Sequence, residues 1–185
     1  VIGVFAFVGY RKSESVLKFS SNTTGVSIYA GKYYNSAIVE IPELIGDRKV
    51  TEIADKAFRG KSDIVKVVIP STITRIGDGA FNGAISLESI VIPDEVTCIG
   101  SSAFKNCKNL KKVVIPEKTI QIGSGAFYGC DNLTEITIVA REGGLSGFAE
   151  DWANGIPATT TIKVGFVITL DYNGATSEMG ESKPV

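Results

Sequence analysis

The sequence predicts a β-rich solenoid: a right-handed superhelix of 23-residue coils built from short strands and tight or short helical turns. Three sets of recurring residues predict it. Phe58, Phe81, Phe104 and Phe127 stand at steps of 23, each preceded by alanine. The Ile-Pro pairs at 69–70, 92–93 and 115–116 keep that step, as do the Ile-Gly pairs at 76–77, 99–100 and 122–123. A fixed period of this length marks stacked units, none of which can bury its own apolar side chains without neighbours.

The chain opens at Val1 on an apolar run with two readings. It resembles the end of a secretion signal, although no small-residue cleavage site follows. Alternatively, Ile2-Gly3-Val4-Phe5-Ala6-Phe7-Val8-Gly9 keeps the spacing of Ile76-Gly77-Asp78-Gly79-Ala80-Phe81-Asn82-Gly83, which makes it the stump of an earlier repeat. The stump is the preferred reading. From Val16 through Ile28-Tyr29 to Ile38-Val39-Glu40-Ile41, alternating apolar residues predict strands joined by turns at 22–25 and 31–35. Residues 1–40 are expected to form an N-terminal capping segment, and 41–164 the repeat array with its C-terminal cap. The step from Ile41-Pro42 to Ile69-Pro70 is 28, five more than the period. The excess around 44–48 is expected as a loop.

One unit, taken from Leu87, shows how a coil is built. Ile90 and Ile92 alternate with Ser89 and Val91, the period of a strand with one buried face. Pro93 ends that strand because it has no N–H to give a ladder. A second short extended segment follows at Val96-Thr97-Cys98-Ile99. Gly100 turns the chain, and Ala103-Phe104 points into the stack. Stacked strands lie about 4.8 Å apart, so equivalent residues form ladders. The expected buried columns are Ile64, Leu87, Leu110, Leu133; Ile69, Ile92, Ile115, Ile138; Ile53, Ile76, Ile99, Ile122; and the four phenylalanines. The alanines beside the phenylalanines would let those turns approach closely.

At the far end Ile138-Val139 lacks the proline, and 143–147 reads as a loop. Trp152 stands 25 after Phe127, about where the next phenylalanine belongs, and Ile162-Lys163-Val164 supplies a last strand. Trp152 is either an exposed binding aromatic or a plug for the end of the stack. A terminal unit has one face in water, which favours the plug.

Composition excludes several kinds of function. The chain has 185 residues, a net charge of −1 and no histidine. The interspersed charge gives no reason to expect a nucleic-acid partner. With no run of 18 apolar residues, no membrane insertion is expected. Without histidine the commonest general base and metal ligand are missing. Gly77-x-Gly79 and Gly123-x-Gly125 belong to the repeat and become Ser101-Ser102 between them, so they are not dinucleotide loops. Asp78, Asp94, Glu95 and Asp131 fall at turn positions, where a solvated face explains them. Cys107 and Cys130 share a column 23 apart. Buried free thiols, a disulfide between adjacent coils and a metal pair are the open alternatives, with the free thiols preferred. Cys98, in the column of Glu52, Arg75 and Gln121, is expected to be more exposed, and no base for a catalytic thiol is recognisable. No catalytic, cofactor-binding or metal-ligating residue is assigned, and the chain is read as a non-enzyme.

The pattern Leu-x-x-Ile-x-Ile-Pro, Val-Thr-x-Ile-Gly-x-x-Ala-Phe-x-x-Cys resembles the BspA-like, or Treponema pallidum type, leucine-rich repeat over about 41–138. It departs from the common leucine-rich repeat, because the residues three past Ile69, Ile92 and Ile115 are Thr72, Glu95 and Lys118 rather than an asparagine ladder. Residues 165–185 have a different character. Phe166-Val167-Ile168-Thr169-Leu170 runs towards an Asn173-Gly174 turn and resembles the opening of a Listeria–Bacteroides repeat, a small β-grasp-like surface module. Ala175 stands where that module usually has a second glycine. The chain is therefore expected to be a fragment of a longer, multi-module protein.

Two outward rows remain that the stack does not dictate. Val68, Val91, Val114 and Thr137 form one; Lys66, Ser89, Lys112 and Glu135 form the other. They are the expected partner-binding residues, on a shallow sheet face of the kind solenoids present; their alternative is a plain sheet surface. The family resemblance implies a non-catalytic binding module of a bacterial cell-surface or secreted protein. It would adhere to host or microbial surfaces through a protein or glycoconjugate ligand. The alternative is a passive spacer that holds other domains away from the cell.

Overall fold

The structure, a computed structural model, describes residues 17–21, 25–31, 35–140 and 147–166, and all that follows concerns these. The strands, in chain order, begin with β1 (Leu17–Ser21), β2 (Val26–Ala30), β3 (Ile38–Glu40), β4 (Leu44–Ile45) and β5 (Arg48–Ile53). The repeats supply β6 (Lys66–Val68), β7 (Arg75–Ile76), β8 (Ser89–Ile90), β9 (Cys98–Ile99), β10 (Lys112–Ile115) and β11 (Gln121–Ile122). β12 (Glu135–Ala140) and β13 (Thr161–Phe166) end the array.

Each coil contributes one strand to each of two sheets. The strand before the proline joins a six-stranded sheet in the order β13-β12-β10-β8-β6-β3. The two-residue strand before the Ile-Gly glycine joins a second sheet, β1-β2-β5-β7-β9-β11, with β4 paired to β5. Pairing between coils is parallel and keeps the period: Lys66 faces Ser89, Ser89 faces Lys112 and Lys112 faces Glu135, while Ile53, Ile76, Ile99 and Ile122 align in the second sheet. Parallel stacking already includes β2 on β5 and β3 on β6, so it begins ahead of the expected start at 41. β1 runs antiparallel to β2 and turns the end of that sheet back on itself. The expected loop at 44–48 is instead a hairpin: β4 pairs antiparallel with β5 across Gly46-Asp47. Gly46, at φ +65°, occupies the first central position, where a two-residue hairpin turn of type II′ needs a glycine.

The phenylalanine-bearing turns form a third stacked column, and among the described residues they contain no helix. Their hydrogen bonds explain why. The N–H groups of Lys56, Phe58 and Gly60 each donate 2.7 Å to the carbonyls of Asp78, Ala80 and Asn82 in the next coil. The intervening N–H groups of Ala57, Arg59 and Lys61 donate three residues back within their own turn, each at 3.1 Å. Half the donors are thus committed to the neighbouring coil, which an α-helix would forbid. The alternation requires two left-handed residues per turn: Gly79 and Gly83, Gly125 and Gly129, and Ser102 with Asn106 in the turn between.

The core is a set of columns. Phe58, Phe81, Phe104 and Phe127 are fully buried, with ring centroids 5.3–5.5 Å apart and planes within 5°. The alanines beside them are buried too. The Ile-Gly glycines are there because backbones meet: a Cβ on Gly100 would lie 2.6 Å from the Asp78 nitrogen, and one on Gly123 2.4 Å from the Ser101 nitrogen. Of the expected buried columns one member departs, Ile69, which is half-buried and packs against the core from its edge.

At the far end Trp152 is the plug. It is half-buried, edge-on to the last phenylalanine with 6.3 Å between centroids, and edge-on to Phe148 at 5.7 Å. β13 lies parallel on β12, with Gly165 and Phe166 opposite Val139 and Ala140. The change of character expected at 165 therefore falls inside a strand. Val164, in register with Ile138, is 40% exposed whereas Ile138 is 2% exposed. The proposed repeat stump at 1–9, and the expected module beyond Phe166, lie outside the described residues.

Candidate binding face

The six-stranded sheet turns one set of side chains into the stack and the alternate set to solvent. Val67, Ile90, Val113 and Ile136 point inward and are buried. The residues on either side of them are the expected partner-binding set. Val68 is 44% exposed, Val91 79% and Val114 52%, and Thr137 follows them in register. A β-branched residue exposed to this degree contributes little to the core. Lys66, Ser89, Lys112 and Glu135 form the parallel row beside it.

The structure extends both rows beyond the sequence-predicted residues. Ile38 pairs with Lys66 and is 53% exposed; Glu40 pairs with Val68. At the other end Thr161 faces Glu135 and Lys163 faces Thr137. The signal was present in the alternation of Ile38-Val39-Glu40, but the irregular 28-residue step hid its register.

Charges on this face are partly internal. Glu135 accepts a hydrogen bond from the Lys163 ammonium at 2.6 Å, with Lys112 at 4.0 Å on its other oxygen. The Lys163 contact, with Lys112 beside it, holds the Glu135 carboxyl below the usual glutamate range. Just outside the rows, Lys111 pairs with Glu88 at 3.2 Å.

Beyond the prolines runs an acidic rim. Three residues after Glu40, Val68, Val91 and Val114 come Glu43, Ser71, Asp94 and Glu117, all exposed. Next to Asp94, Glu95 accepts from Lys118 at 2.5 Å. Glu40, Glu43, Asp94 and Glu117 form no ion pair among the described residues. Sequence reasoning took Asp94 and Glu95 singly, as turn residues, and missed the rim because its members lie a coil apart.

Elsewhere, reactive side chains are committed to the scaffold. Asp55 accepts from the Asp78 backbone N–H at 2.8 Å, and Asp78 in turn from that of Ser101 at 2.8 Å. Asp78 is therefore a coil-to-coil tie as well as a solvated turn residue. Arg75 bridges Glu52 and Asp55, and its hydrogen bond is the main reason the Asp55 carboxyl titrates below the ordinary range. Cys107 and Cys130 are free and buried; their Sγ–H groups donate to the Phe81 and Phe104 carbonyls at 3.2 and 3.1 Å. Burial pushes both thiols up, Cys130 to about 12. Cys98 is half-exposed, its thiol also raised by burial, and it donates to Gln121 at 3.6 Å.

The sequence profile described as the BspA type leucine rich repeat region matches residues 26–142, in six copies. No curated protein matches the chain. Among solved structures, the Treponema pallidum leucine rich repeat protein TpLRR is 26% identical at a TM-score of 0.62, over 80% of this chain and 61% of that one. The pneumococcal vaccine antigen PcpA is 22% identical at 0.61, over 79% and 42%. A leucine rich cell surface protein from Faecalibacterium prausnitzii is 23% identical at 0.50, over 88% and 50%. The chain thus spans less than two thirds of each, and the last two likenesses speak to the fold alone.

Proposed function

Because the chain belongs to the BspA-type leucine-rich repeat family, we propose that it is a non-catalytic protein-binding module of a bacterial cell-surface or secreted protein. It adheres to host or microbial surfaces through the outer face of its six-stranded sheet. One observation carries this reading. Val91, one residue past β8 and at the repeat position of Val68 and Val114, leaves an apolar row in water along the middle of the six-stranded sheet, where packing of the coils asks for nothing apolar. Such a row, bordered by polar and charged residues, is the composition of a docking surface. The non-catalytic reading is supported by the spending of Asp55, Asp78, Arg75, Cys107 and Cys130 on contacts between coils. The surface location draws on membership of the BspA-type family.

The test is Val91→Glu with Val114→Glu. Both sites face water, so the circular dichroism spectrum and melting temperature should stay close to wild type. Binding of the purified protein to host epithelial and bacterial cell layers should fall by about tenfold or more. A folded double variant that binds these layers as well as wild type would reduce the array to a spacer.

A further inference from the structure

Resting on the reading of this sheet as a docking face, we propose that its partner is a basic polypeptide segment. Apolar side chains of that segment lie along the valine row, and its lysines or arginines lie along the acidic rim. The unbalanced charge selects the sign. Among the described residues, Glu135 lies between Lys112 and Lys163, the latter in the valine row itself, and Glu88 answers Lys111, which leaves Lys66 as the one lysine of the two rows with no ion pair. On the rim, Lys118 answers Glu95 alone. Glu40, Glu43, Asp94 and Glu117 are exposed and form no ion pair among the described residues. Asp94 and Glu117 are neighbours in the stack, about 4.8 Å apart along it. They repeat at the same step as Val91 and Val114, three residues away in each coil. One segment running along the stack meets apolar row and carboxylates together. A second copy of this chain fits less well, since it would bring its own acidic rim to the interface.

Two labelled peptides of equal length test this by fluorescence anisotropy with the whole chain, one alternating valine and lysine, the other valine and glutamate. The valine–lysine peptide should bind, and weaken as salt rises from about 50 to about 300 mM. Its affinity should drop about tenfold in Asp94→Lys/Glu117→Lys, and separately in Val91→Asn/Val114→Asn. The valine–glutamate peptide should not bind. If the glutamate peptide binds instead, and Val91→Asn/Val114→Asn weakens it, the docking face stands and the basic partner is wrong. Lysine-peptide binding indifferent to the rim substitutions, or no binding of either peptide, also overturns the proposal. Failure of the docking reading itself would show separately, as cell-layer binding untouched by the valine substitutions.

Discussion

Removing one ring from the middle of the phenylalanine column should leave a cavity that its neighbours cannot fill. Phe104 is fully buried and stacked on rings at 5.5 and 5.4 Å in the coils on either side, in turns pinned by hydrogen bonds between coils. Relaxation is therefore limited, and Phe104→Ala should cost about 3–5 kcal/mol in urea unfolding. A change below about 1 kcal/mol would contradict the placement. At this scale the sequence was most legible. Columns at a step of 23 are visible as repeated letters, and a buried column follows from each coil's need of neighbours. What stayed hidden depends on backbone shape. Ser102 and Asn106 take the left-handed conformation that glycines take in the turns on either side; asparagine favours it, but nothing in a serine announces it. Asp78 looked like a solvated turn residue because its backbone partner is in another coil.

The paired thiols act at the scale of the element, where one coil lies on the next. Burial raises the native pKa of both Cys107 and Cys130, to about 12 for the second. The unfolded chain loses those protons from about pH 9. A raised native value means the stabilisation is complete below about pH 9 and is lost as pH rises towards the native values, about 1.4 kcal/mol per thiol per pH unit. Between pH 8 and pH 10, wild type should lose about 2–3 kcal/mol more than Cys107→Ala/Cys130→Ala. Equal losses would mean that the thiols are not held in the stack as described. Strands were legible where alternation runs over three or more residues, as at β6 and β10. The second sheet was read only as extended segments, because its repeat strands have two residues each and no period of their own. The hairpin of β4 and β5 was missed because the five inserted residues interrupt the only signal in use.

At the scale of the whole molecule, stacking turns local alternation into a surface. Six strands stacked in parallel place Ile38 beside Lys66, Glu40 beside Val68 and Lys163 beside Thr137, each a full coil away along the chain. The two central rows were legible from the period alone. Their ends were not, because β3 precedes the irregular step and β13 follows a unit in which no proline closes the strand after Ile138. The acidic rim was not either, since its carboxylates join only when the coils are laid on one another. The central claim is that this outer face, and not the turns or the ends, meets the partner. Hydroxyl-radical footprinting of the protein bound to a host or bacterial cell layer, against the free protein, tests it most directly. The account predicts protection at Val68, Val91 and Val114, with exposed Tyr128 on the turn column labelled as in the free protein. Protection at Tyr128 with the valines labelled fully would contradict it.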